Sequence, residues 1–115
     1  RRGQVAEHDL VTEVYVVTSG GGTILTGADL VNKVRRPPDN RAVQFLNGPG
    51  NNAENVRDGV THHLKEGDVF VIPAGTGHEF TEIPDHITYM MVRVDPDKIV
   101  PLMDATASRR YLDER

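Results

Sequence analysis

The chain has 115 residues, 37% apolar and 26% charged, with 17 acidic against 13 basic side chains and a net charge of −4. A domain of this size buries roughly 60–70% of the surface its unfolded chain exposes, enough for one core without disulfide or metal staples. Three Tyr, three Phe and an acidic balance argue against a nucleic-acid partner, no apolar run approaches the roughly 18 residues of a membrane span, and zero Cys excludes disulfides, thiolate metal sites and a Cys nucleophile. The compartment stays open, because the chain begins Arg1-Arg2-Gly3 without Met and is either trimmed or a mature form that has lost a signal peptide.

In chain order, β-type runs cover Val5–His8, Val14–Thr18, Thr23–Thr26, Ala42–Leu46, Val60–Leu64, Val69–Ile72, His78–Thr81 and Ile87–Val94. Eight short strands between turn signals predict an all-β sandwich or barrel. Gly20-Gly21-Gly22 stands where a hairpin turn would separate the second and third runs. Two long connections, Gly27–Arg41 and Asn47–Gly59, read as surface loops, either able to form a lid; the first is stiffened by Arg35-Arg36-Pro37-Pro38 and the second is rich in Asn, Gly and Asp. Beyond Val94, Asp95-Pro96 can cap a helical turn, Pro101 interrupts it, and Ala105–Arg115 reads as a charged, weakly helical tail. The division expected is a β-domain over 1–94 and a tail over 95–115.

Val14-Tyr15-Val16-Val17 and Val69-Phe70-Val71-Ile72 are apolar at every position, so both faces of those strands call for cover. A homodimer would cover the outer face; the long loops or the tail are the alternative.

The stretch richest in chemistry runs from Gly67 to Glu82. A strand ends at Pro73-Ala74-Gly75-Thr76-Gly77, and His78 opens the next strand on the same face as Phe80 and Glu82. If that face is the interior, an imidazole and a carboxylate meet inside an apolar cup. His62 shares its face with Val60 and Leu64, which makes it the inward member of the His62-His63 pair, while His86 follows Pro84-Asp85 at a turn and reads as exposed. Arg93, Arg35 and Arg36 could bind an anion, although loop charges are usually solvated. Ser19 and Ser108 lack the strained turn of a hydrolase nucleophile, and Gly20-Gly21-Gly22 lacks the Lys-Ser/Thr of a phosphate loop.

Gly67, Pro73, Gly75 and His78 match every fixed spacing of the second motif of the cupin superfamily, G-x5-P-x-G-x2-H-x3-N, with Glu82 at the Asn position. His8, Glu13 and Gly20 match the first, G-x5-H-x-H-x4-E-x6-G, with Ala6 where the first His would stand. The sequence therefore resembles the cupins over roughly residues 5–94. The resemblance implies a small antiparallel jelly-roll β-barrel holding one divalent metal ion, Fe, Mn, Zn or Ni, with His8, Glu13 and His78 as its ligands here. Two imidazoles and one carboxylate form the set that binds non-haem Fe(II) with positions left open, and neutral imidazole is required, so metal would be lost below about pH 6.5. The odd spacing from His8 to Glu13 demands a bend or bulge within Asp9–Thr12 that turns both inward.

Glu82 can be a further ligand, a general base or a rim residue. Tyr15 shares the parity of Glu13, and its hydroxyl could orient a ligand; core packing is the alternative reading. Two functional readings follow from the resemblance. One is a metalloenzyme of dioxygenase, isomerase or lyase type acting on a small organic molecule, with Glu82 and Tyr15 as catalytic candidates. The other is a non-catalytic module that binds or senses a small molecule, its metal site degraded at Ala6.

Overall fold

A computed structural model, describing residues 4–114, organises the chain around one long strand. The opening Arg1-Arg2-Gly3 and the last tail residue, Arg115, lie outside the described residues. The strands are β1 (Val5–His8), β2 (Thr12–Gly27), β3 (Asp29–Val31), β4 (Val34–Arg35), β5 (Gly50–Ala53), β6 (Asn55–Arg57), β7 (Val60–Lys65), β8 (Val69–Ile72), β9 (Gly77–Glu82) and β10 (Ile87–Val94), followed by α1 (Ala105–Glu114). All pairings are antiparallel. The all-β, jelly-roll class with a short C-terminal helix is the one the sequence predicts, and its hydrogen-bonded path runs from β10 to β4 without closing on itself.

β2 is continuous for 16 residues, where the sequence predicts two strands and a hairpin. Gly20 takes φ +71°, and a Cβ there would press on the His86 carbonyl. The conformation suits glycine because it has no Cβ to clash. The glycine run therefore bends the strand from one sheet into the next instead of reversing it. The first half of β2 lies between β8 and β10, and the second half between β7 and β9. From β9 the second sheet continues through β1 and β5 to β4.

Two further expectations are corrected. Ala42–Leu46 is helical, not a strand: Val43–Asn47 forms a π-helical turn, entered where the Asn40 side-chain oxygen accepts from the Ala42 and Val43 N–H groups at 2.9 and 3.3 Å. Such a side-chain cap satisfies donors that have no partner inside the helix. The two long connections are also not plain loops, since they carry β3 to β6. The Asp95 turn forms, with its carboxylate accepting from the N–H groups of Ile99 and Val100, and α1 begins only at Ala105. The Arg41 guanidinium lies 4.7 Å from the Tyr111 ring centre and 5.4 Å from that of Phe45, tying α1 to the π-helical turn.

The larger core cluster joins both halves of β2: Tyr15 and Val17 from the first, Ile24 from the second, with Leu64 and Ile72. A smaller one, Val5, Ala53 and Val56, sits beneath β1. Alternation along β2 then fixes what faces inward, namely Glu13, Tyr15 and Val17.

Candidate functional site

β1 ends at His8, the chain bends through Asp9 and Leu10, and β2 begins at Thr12. This is the turn the odd His8-to-Glu13 spacing demands, and both side chains are buried. The Pro73–Gly77 turn docks beside them: the Gly75 N–H donates to the His8 carbonyl at 2.7 Å and the Ala74 N–H to Thr12 Oγ1 at 3.0 Å. β9 leaves that turn paired to β1, with Ala6 directly opposite His78. His78 thereby arrives buried next to His8, their ring centres 5.3 Å apart.

Glu13 is the hub. Its Oε1 lies 3.4 Å from His8 Nε2 and 3.3 Å from His78 Nε2, and the Tyr15 hydroxyl reaches the same oxygen at 3.5 Å. Its Oε2 accepts from Arg93 Nε at 3.2 Å. Register explains that ion pair, because Arg93 stands directly opposite Glu13 on β10. Burial by itself pushes the Glu13 carboxyl up, but hydrogen bonds from His78 and His8 outweigh it and hold the group well below the usual carboxylate range. Burial also raises the Tyr15 phenol far above its ordinary value, so it stays a donor.

The outer nitrogens of the two rings have different partners. His78 Nδ1 meets the Thr76 carbonyl at 3.2 Å. His8 Nδ1 meets Arg36 Nη2 at 3.1 Å. The Arg36 guanidinium also donates to the Glu7 carbonyl, to the Asn51 carbonyl and to Asn52 Oδ1, the last two at 2.8 Å. Gly50 makes room for it, since a Cβ there would collide with both Arg36 Nη2 and the Glu7 carbonyl.

His8, Glu13 and His78 each offer a donor atom, all within 4.8 Å of one another, and so could hold a metal ion. Donors bound at about 2.0–2.1 Å around a tetrahedral ion stand roughly 3.3 Å apart, and the two spacings to Glu13 Oε1 match. The donor set fits a divalent cation.

Tyr15 joins this cluster, as its parity predicts. Glu82 does not: it ends β9 exposed to solvent and makes no hydrogen bond to the cluster. His62 points inward, its ring 4.8 Å from that of Phe70, and His63 is exposed. His86 is exposed and bonded to Asp85 and Ser19. Arg35 pairs with Asp9 at 2.7 Å. Arg36 and Arg93 are the site residues that sequence reasoning left among solvated charges. Register against Glu13 is the signal for Arg93, whereas Arg36 arrives through a connection with no periodic signal at all.

Beside the cluster, Tyr15, Tyr89 and Phe80 stack, with ring centres 4.4 Å apart for Tyr15–Tyr89 and 6.2 Å for Tyr15–Phe80. Phe70, Phe80, Tyr89 and Met91 are only half buried although they pack on the core, so each keeps part of its surface exposed. A surface cleft of about 340 Å³ between Gly20–Thr23 and Pro84–His86 and another of about 420 Å³ beside Asp29 and Lys33 do not reach the His–Glu–His cluster.

No helix among the described residues is long and apolar enough to cross a membrane. No curated protein and no solved structure matches the chain. A profile of the AraC-like ligand binding domain, a cupin-like jelly roll, matches residues 54–115, just over half of the chain. The match takes in the Gly67–His78 motif, β9, β10 and α1, and with them His78 and Arg93 of the cluster. With that fold and that match, the chain belongs to the family of AraC-like ligand binding domains.

Proposed function

We propose that the protein binds a small organic molecule in the aromatic cup, with the polar end of the ligand read by Glu13, His8, His78 and Arg93, and that it does so as a binding module without chemistry of its own. The observation that carries this reading is the convergence of donors and acceptors beside half-buried rings. A pocket of apolar walls with a few fixed polar groups suits small-molecule recognition. The chain has no Trp, and two of its three Tyr, Tyr15 and Tyr89, line the cup, so tyrosine fluorescence reports on occupancy. Titrating short carboxylates and polyols should give a saturable change for at least one class, lost in His78→Ala and Glu13→Gln. Binding that survives both substitutions overturns the reading.

The second reading, a metalloenzyme, is favoured by the 3.3 and 3.4 Å spacings around Glu13 Oε1. His8, Glu13 and His78 would hold one divalent ion, which when bound supplies Lewis acidity, while Tyr15 would orient the substrate. Plasma mass spectrometry on untagged protein purified without chelator should then find near one equivalent of metal, lost in His78→Ala and kept in His63→Ala.

The same reading includes a homodimer. On the outer face of the three-stranded sheet, Val14 stands between Val71 and Val92, and Val16 between Val69 and Met90. Val69 is 64% and Met90 58% exposed. A contiguous apolar patch of this kind marks a contact surface, and an isologous pair of such sheets covers both copies. Sedimentation equilibrium checks it.

A further inference from the structure

Two histidines flank one carboxylate here, and their outer nitrogens are held by opposite kinds of partner. The Thr76 carbonyl can only accept, so His78 keeps a proton on Nδ1 whatever its Nε2 presents to Glu13. This is the arrangement a metal-ligating imidazole uses, donating its outer N–H to a carbonyl or carboxylate. The Arg36 guanidinium can only donate, so His8 Nδ1 must accept and the His8 proton sits on Nε2, the nitrogen that faces Glu13. A protonated Nε2 is a hydrogen-bond donor to Glu13 and cannot also bind a cation.

We propose that Arg36 is a positioning residue that sets the tautomer of His8, holding it as an Nε2–H donor and keeping the His8–Glu13–His78 cluster from closing on a metal until the guanidinium withdraws. The proposal rests on the reading of this cluster as the polar end of the binding site, and it states which form that end takes at rest. Arg36 is well placed for the task. It has acceptors in β1 and β5 at once, Glu7, Asn51 and Asn52; its own N–H donates to the Gly50 carbonyl at 3.0 Å; and Pro37 follows it, restricting its backbone. Its Nε is buried with no partner, so the side chain is held by its two terminal nitrogens alone. Release needs only those contacts to exchange.

The test uses the intact chain with Zn(II) as the probe, and the ring nitrogens of His8 observed by long-range proton–nitrogen NMR. The wild type should show His8 with its proton on Nε2 and a bare Nδ1. Arg36→Met, which keeps length and removes the donor, should free Nδ1 to take the proton when Zn(II) occupies Nε2, and so tighten Zn(II) binding by calorimetry about tenfold or more, the scale on which groups behind a metal ligand act. Arg36→Lys, which restores a donor, should return the affinity toward wild type, and His8→Ala should erase the gain in the Arg36→Met background. Wild-type His8 with its proton on Nδ1 overturns the proposal, and that measurement needs no substitution, so it decides even if Arg36→Met fails to fold. A folded Arg36→Met that binds Zn(II) no tighter overturns it as well. Failure of the binding-module reading looks different: carboxylates and polyols would bind regardless of His78 and Glu13, while the His8 tautomer stayed as stated.

Discussion

The two faces of the β8–β2–β10 sheet differ by a single step along the chain and have opposite chemistry. Inward rows read Ile72–Glu13–Arg93 and Phe70–Tyr15–Met91; outward rows read Val71–Val14–Val92 and Val69–Val16–Met90. The charge lies inside and the bare aliphatics lie outside. A buried carboxylate is tolerable only when its partners replace water, and Glu13 has His8, His78, Tyr15 and Arg93. The outer face has no such network and carries apolar surface that only another surface can cover. The inner face thus carries the polar cluster and the outer one the exposed apolar rows.

The most severe way to break that contrast is to remove the hub. Glu13→Ala should cost about 3 kcal/mol in chemical denaturation, because it strands the donors gathered around it. A variant as stable as wild type would mean the partners do not offset burial, and the inner face would be strained instead of satisfied. Acid offers a milder version. The Glu13 carboxyl titrates below its ordinary value near 4.5 when folded, so its contribution is complete above that pH and is lost as pH falls below it. Glu13→Gln should flatten this acid limb. An unchanged slope would assign the limb to other carboxylates.

Next in size is the apolar half of the same inner face. Val17 is 2% exposed and packs in the cluster with Tyr15 and Ile24. Val17→Ala should cost about 2 kcal/mol, the transfer of two methyl groups plus part of a cavity. Equal losses at Val17 and at its outward neighbour Val16 would erase the distinction between the faces.

Much of this is legible in the residues. Alternation and turn punctuation place β1, β7, β8, β9 and β10 within a residue or two, and the cupin spacings name the three residues that converge, because motif spacing encodes which strand ends meet. What was hidden is long-range. A glycine run reads locally as a hairpin, and the bend shows only in the pairing, Gly20 with Ile87 on β10 and Gly21 with Lys65 on β7. Ala42–Leu46 has strand composition, but Asn40 caps it into a helical turn. Arg36 has no local mark, since its role depends on Gly50 and Asn51 some fifteen residues on, brought to it by pairing of β4 with β5.

The smallest effect on stability belongs to the outer face and is the sharpest test of it. Val16→Ala removes contacts that the monomer barely has, so unfolding of the isolated chain should shift by less than about 0.5 kcal/mol. Val16→Asp should act on association alone, placing two like charges across an isologous contact, where repulsion is doubled by symmetry. Sedimentation should then show a wild-type dimer and a Val16→Asp monomer with the same far-UV spectrum. A wild type that is monomeric at high concentration would leave the apolar rows facing water by themselves, and the contrast between the faces would then rest on the inner one alone.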